Sequence, residues 1–259
     1  MSTITSKTVL FVTGAFVSHH CWDAWREYFE KKGYTTVAPP WPGKNGEPAA
    51  LRSRHPDKVL ASVTLPDLIT YYTSIINQLP EKPIIIGHSF GGLITQLLLN
   101  KGLAAAAVAV HPIMPQGVIP YEFKFLKATW GVLGFFTNPN KTYLMSFPKW
   151  QYTFMNGMSL EEQKQGYDAL VIPESKRASR GALTSAAYVD FKKQHNPLLI
   201  MAGRQDNCIP YTLIRRNYEK YKAPNSVVEF LLQDRNHYVL GLPTWQKDAD
   251  YILNWLNKH

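Results

Sequence analysis

The 259-residue chain has only two cysteines, Cys21 and Cys208, far apart in sequence. A secreted disulfide framework needs more thiols at closer spacing, so both are expected to be reduced in a cytoplasmic protein. Long apolar runs are also missing. Thr8-Val9-Leu10-Phe11-Val12-Thr13 is too short for a signal peptide core or a membrane span, and reads as a buried strand. Charged residues make up 18%, and the acidic ones are the scarcer, 19 Asp and Glu against 28 Lys and Arg, for a formal charge of +9. That surplus is scattered, its densest group being Lys176, Arg177 and Arg180, and no nucleic-acid-binding motif accompanies it. Nucleic acid is therefore not an expected partner. Metal-ligand patterns are lacking too: His19 and His20 are adjacent, with no Cys or carboxylate at ligand spacing. No metal or other cofactor is expected. A hydrophobic content of 45% leaves no room for a disordered chain, a coiled coil or a collagen-like fibre.

What is present is an alternation of short apolar runs and helical patterns. Strands are expected at Thr8 to Thr13, Tyr34 to Ala38, Pro83 to Gly87, Ala104 to His111, Leu198 to Ala202 and Ser226 to Leu232. Helices are expected at Trp22 to Lys32, stopped by Gly33, and at Leu65 to Leu79, with Pro66 in its first turn. Three more are expected at Gly92 to Lys101, Tyr211 to Tyr221 and Trp245 to Asn257. The segment from Trp41 to Val63, dense in Pro and Gly, reads as loop. Strands without inside–outside alternation, each followed by a helix, imply an α/β fold with a mostly parallel sheet of about six strands covered on both faces.

The rhythm breaks after the fourth strand. From Tyr121 to Phe154, eleven of 34 residues are aromatic, against 13% for the whole chain, and no strand pattern intervenes. Residues 113–188 are expected to form a helical cap, with 1–112 and 189–259 forming the core domain.

The most informative residues are Gly87-His88-Ser89-Phe90-Gly91, a G-x-S-x-G pattern after the apolar strand Pro83-Ile84-Ile85-Ile86 and before a helix. A serine on a sharp strand-to-helix turn is lifted above the sheet, and its neighbours two before and two after must be small. The Phe90 N–H lies at the helix N-terminus, where an oxyanion is favoured.

At this point the chain resembles the α/β-hydrolase family over essentially its whole length. In that family the acid follows a late strand and a histidine follows the last one. The resemblance implies Asp206, after Leu199-Ile200-Met201-Ala202-Gly203, as the acid and His237, after Glu229-Phe230-Leu231-Leu232, as the base of a Ser89–His237–Asp206 triad. Asp190 and His195 precede the fifth strand, and Asp234 belongs to the His237 loop. The oxyanion hole would use the N–H of Phe90 and one from the loop after the first strand. That loop reads Thr13-Gly14-Ala15-Phe16 where the family has His-Gly, and Ala15 is the expected donor, with Phe16 its rival. His88 and Trp22 are expected to pack, and Cys208 to be a buried thiol. Phe16, His111 and Trp130 are expected to touch substrate.

The resemblance implies a serine hydrolase that cleaves a small or medium carboxylic ester, lactone or thioester through an acyl-enzyme. Ser89 stands where related dehalogenases and epoxide hydrolases have Asp, and Tyr238 where related hydroxynitrile lyases have Lys. Cofactor-free perhydrolase or haloperoxidase activity and carbon–carbon bond hydrolysis remain open on the same triad. So does a non-catalytic ligand receptor on this fold. The expected partner is a small ester-like molecule, and the expected state a monomer or small homo-oligomer with no membrane span.

Overall fold

A computed structural model describes residues 4–134 and 137–259; Phe135 and Phe136 of the aromatic stretch lie outside the described residues. Six strands form one sheet in the order β2-β1-β3-β4-β5-β6: β1 Thr8–Val12, β2 Thr35–Val37, β3 Ile84–His88, β4 Ala106–Val110, β5 Leu198–Gly203 and β6 Val228–Gln233. Every pairing is parallel. The expected strands are all there, their ends shifted by a residue or two: β1, β2 and β4 are shorter, whereas β3, β5 and β6 run one residue further at their carboxyl ends.

Successive residues of each inner strand feed two different cores, which explains their uninterrupted apolar runs. Val9 and Phe11 of β1, with Ile84 and Ile86 of β3, pack under α1 (Asp23–Glu30) and, at the far end of the chain, a helix at Trp245–Leu256. Leu10, Val12 and Ile85 face the opposite layer. Trp22 is wholly buried and stacks on Phe11, as its packing reading required.

The segment from 41 to 63 is not plain loop. It carries two short helices, α2 (Pro48–Ser53) and α3 (Lys58–Ser62). Pro48 opens the first, and the Asp57 carboxylate accepts the N–H groups of Val59 and Leu60 to cap the second. Leu51 and Leu60 are their buried anchors. One anchor per helix leaves too little periodicity to stand out among so many Pro and Gly. α4 (Leu65–Ile76) follows, started by a capping box of Thr64 and Asp67. α5 (Phe90–Asn100) runs down from β3 into the second core.

Between β4 and β5 lie the helices of the insertion: α6 (Phe123–Leu133), α7 (Phe147–Thr153), α8 (Leu160–Leu170) and α9 (Lys176–Gly181). Its buried residues Met114, Phe125, Trp150 and Phe154 belong to the same apolar cluster as the sheet. The insertion therefore rests on the sheet instead of enclosing a core of its own. α10 (Tyr211–Lys220) and α11 (Trp245–Leu256) complete the chain. Among the described residues no helix is long and apolar enough to cross a membrane.

The strand order reverses between β1 and β3, because β1 passes first to β2 on one side and the chain then returns to β3 on the other. Loops leaving the carboxyl ends of these two strands diverge and open a crevice, the usual ligand position in such sheets.

Candidate active site

The β3–α5 turn places Ser89 at φ 57°, ψ −118°, a strained backbone for a residue with a side chain. Two close approaches enforce it. A Cβ on Gly87 would lie 2.3 Å from the Gly91 carbonyl oxygen, and one on Gly91 would lie 2.0 Å from that of Val12. Only hydrogen fits at either position, so the small residues flanking Ser89 are a packing requirement. The turn aims Ser89 Oγ at His237 Nε2, 3.0 Å away.

His237 sits on the loop after β6, and its Nδ1 is 2.7 Å from Asp206 Oδ2. A carboxylate only accepts, so Nδ1 carries a proton, and when the ring is neutral the Nε2 lone pair faces the serine hydroxyl. Asp206, after β5, is saturated. Its Oδ1 accepts the N–H groups of Cys208 and Ile209 at 2.7 Å each, and its Oδ2 accepts a second imidazole, His111 Nδ1, at 2.8 Å. Burial raises the Asp206 carboxyl, but His237, His111 and these donors outweigh it and hold it below the usual carboxylate range. Burial is the largest single influence on His237 and lowers it, yet the Asp206 carboxylate and Cys208 together raise the imidazole above its ordinary value. His88, lowered by burial and by the neighbouring histidines, is neutral; its Nε2 donates to the His237 carbonyl at 3.0 Å and steadies that loop.

Across the crevice, the loop after β1 carries Ala15 and Phe16. Phe16 has φ 71°, again unfavourable for a side chain, and the insertion holds it there. Its N–H donates to Glu174 Oε2 at 2.9 Å, and its carbonyl accepts the Ile172 N–H at 2.9 Å. The Glu174 carboxylate is buried and paired with Lys44 Nζ at 2.5 Å. That ammonium also lies 3.8 Å over the ring of Trp41, whose indole N–H donates to the Thr13 carbonyl. The Phe16 N–H is thus engaged, whereas Ala15 N–H has no acceptor among the described residues. Of the two rivals, Ala15 is the one with its donor free. Glu174 and Lys44 escaped sequence reasoning because a lone carboxylate and a lone lysine carry no signal until the fold pairs them.

The crevice continues as a cavity of about 200 Å³. Ser89, Phe90, Ala15 and Phe16 lie at one end, and Ile113, Met114, Phe125, Thr129, Val132 and Leu133 are among its walls. Among the described residues no Asp, Glu, Lys, Arg or His lines it. Cys208 does, as a buried thiol. Two expected contacts are corrected. His111 is wholly buried behind Asp206 and does not reach the cavity; the left-handed backbone at its φ of 46° turns it to the carboxylate. Trp130 points to solvent, 64% exposed, because α6 turns Phe125, Thr129 and Val132 inward instead. Among the described residues, His111, Asp206 and His237 form the one group with metal-ligand spacing. A metal there would have to displace both Nδ1 protons from the carboxylate.

A family model described as the alpha/beta hydrolase family matches residues 9–248. The chain belongs to the alpha/beta hydrolase family. No sequence among the curated proteins matches it. Solved structures superpose over nearly the full length at low identity. A monoacylglycerol lipase from Paleococcus ferrophilus gives a TM-score of 0.70 at 21% identity, covering 98% of this chain and 96% of that one. A pyrethroid hydrolase from Sphingobium faniae JZ-2 gives 0.68 at 17%, covering 97% and 98%. The methylesterase MES16 from Arabidopsis gives 0.65 at 17%, covering 97% and 99%. At such identities the likeness speaks for the shared alpha/beta hydrolase fold.

Proposed function

We propose that the protein is a serine hydrolase acting on a small, uncharged carboxylic ester, with Ser89, His237 and Asp206 as its catalytic triad. The observation that carries this reading is the 3.0 Å approach of Ser89 Oγ to His237 Nε2 at the end of a cavity without charged walls. The three relatives named above, by their names a lipase, a pyrethroid hydrolase and a methylesterase, agree with it.

In this reading Ser89 Oγ attacks the ester carbonyl carbon as its proton passes to His237 Nε2. The Asp206 carboxylate holds the ring in the required tautomer and stabilises the imidazolium. The carbonyl oxygen, now negative, is received by the N–H groups of Ala15 and Phe90, the latter at the N-terminus of α5. His237 then returns its proton to the departing alcohol. Water, deprotonated by the same imidazole, cleaves the acyl-enzyme and frees Ser89. The acyl or alcohol part rests against Phe125, Val132 and Leu133. A cavity of about 200 Å³ is smaller than the ~300–1,000 Å³ typical of drug-sized ligands, which favours short chains.

A fluorophosphonate probe tests the reading. It should modify Ser89 and no other serine, and Ser89→Ala should abolish labelling and lower kcat by about 10³-fold or more on whichever p-nitrophenyl ester is turned over. An unlabelled Ser89 together with a tightly bound small molecule would favour a receptor.

A further inference from the structure

Nine large apolar side chains are exposed among the described residues, and five of them crowd into positions 119 to 130. They are Ile119 (75% exposed), Tyr121 (70%), Phe123 (76%), Leu126 (46%) and Trp130 (64%). Phe123, Leu126 and Trp130 stand at i, i+3 and i+7 on α6, so they form one outward stripe. The inward residues Phe125, Thr129 and Val132 line the cavity. A surface helix with an apolar stripe on both sides has one side too many for a protein that meets only water.

Two further features identify what covers the outer side. The first is position: Ile119 and Leu183 are both exposed and both line the cavity, so its rim opens onto this same face. The second is charge. Lys124 and Lys127 are exposed on α6, while the nearby carboxylate, Glu122, is taken up by Arg216 at 2.6 and 3.0 Å. The Arg216 guanidinium also lies 4.0 Å over the ring of Tyr121. The face therefore presents aromatic and aliphatic side chains interleaved with unneutralised lysines, on a chain of formal charge +9.

We propose that this face docks on an anionic lipid surface, with the aromatic side chains at headgroup level, the lysines against lipid phosphates and the cavity mouth toward the lipid. Amphipathic aromatic and cationic side chains suit that boundary. A second copy of the chain suits it less, because a two-fold interface brings the same patch against itself and would set Lys124 and Lys127 against their own copies. The docking rests on the exposed face alone. That the lipid delivers substrate rests in addition on the ester-hydrolase reading.

Co-sedimentation of the full chain with vesicles is the test, using phosphatidylcholine alone and phosphatidylcholine mixed with phosphatidylglycerol. The wild type should pellet with the mixed vesicles, less so at high salt and weakly with phosphatidylcholine alone. Lys124→Glu with Lys127→Glu should lower the bound fraction by at least about tenfold, and Phe123→Ser with Leu126→Ser should lower it comparably. All four residues are exposed, Lys127 with its ammonium 4.0 Å over the Tyr152 ring, so the melting temperature of each variant should stay near that of the wild type and certify its fold. Absence of binding to both vesicles overturns the proposal, as does binding that neither variant weakens. A dimer in light scattering that Phe123→Ser with Leu126→Ser dissociates, without vesicle binding, assigns the face to a second copy instead. Vesicle binding by a protein whose Ser89 ignores the fluorophosphonate probe would sustain the docking and defeat the hydrolase reading.

Discussion

Asp206 accepts four hydrogen bonds, and the donor pair on its Oδ2, His237 and His111, makes the carboxylate more than a simple triad acid. Because Asp206 raises His237, and a base must be neutral to act, kcat/KM should fall on the acid side at a pH above the ~6.5 of free imidazole. His111→Gly keeps a residue that tolerates the left-handed backbone there but withdraws one donor from Asp206. The undivided carboxylate should then hold the His237 proton harder and move the acid limb to still higher pH. An unmoved limb with a lowered melting temperature would reduce His111 to packing. Glu174 gives a second residue-scale expectation. Lys44→Met strands a buried carboxylate and should cost about 3–5 kcal/mol in urea denaturation. Adding Glu174→Leu removes the stranded charge and restores much of that stability, yet leaves Phe16 N–H unheld. The double variant should therefore lose kcat by about tenfold or more with KM nearly unchanged, bounded by the ~10²–10³-fold cost of deleting an oxyanion donor outright. Equal kcat in the double variant and the wild type would mean that the loop keeps its shape unaided. Ser89, Asp206 and His237 could be read from sequence because each sits just beyond a strand end in a recognisable order. His111 with Asp206, and Lys44 with Glu174, could not, being contacts across 95 and 130 positions between residues with no local motif.

At the scale of elements, α6 supplies Phe125, Thr129, Val132 and Leu133 to the cavity wall. Its rotation about its own axis decides which aromatics line the cavity, and sequence left that rotation open because both sides of the helix are apolar. Trp130, expected to touch substrate, is turned away by the helix, while Val132 and Thr129 face in. Activity should rise with each methylene added to a short acyl chain, by about fourfold at ~0.8 kcal/mol per buried CH₂, until the cavity is full. Val132→Ala should move that optimum to a longer chain, and Trp130→Ala should leave it in place on soluble esters. A ladder of p-nitrophenyl esters reads both. A flat profile across all lengths would mean an open cleft in which Val132 bounds nothing. The strand and helix order was legible because fully buried parallel strands and amphipathic helices have distinct periods. Helices α2 and α3 were not, since five or six residues with one anchor each are shorter than the period needed to reveal them.

Over the whole molecule, the site's buried imidazoles link catalysis to stability. The strands that carry Ser89, Asp206 and His237 are β3, β5 and β6 of one parallel sheet, so the histidines titrate only by perturbing the body of the fold. His88 has a folded-state pKa well below its ordinary value, from burial first and then its histidine neighbours. An unfolded chain therefore takes up that proton first, and stability should fall as pH drops below the ~6.5 of free imidazole. Asp206, depressed in the fold, adds a further loss as pH falls through the carboxylate range. His237 has the opposite sign. Burial, the largest single influence, lowers it, but the Asp206 carboxylate and Cys208 together raise it, and its folded-state value reaches about 10. Its contribution is complete below the ~6.5 of the unfolded imidazole and is lost as pH rises through the folded value. The two histidines together place maximum stability near ~6.5, with decline on both sides. Melting temperature measured across pH should show that maximum. His237→Gln should flatten the alkaline limb, whereas His88→Asn should flatten the acid limb just below ~6.5 and leave the loss in the carboxylate range. Limbs that persist unchanged in both variants would place the titrating groups elsewhere in the fold.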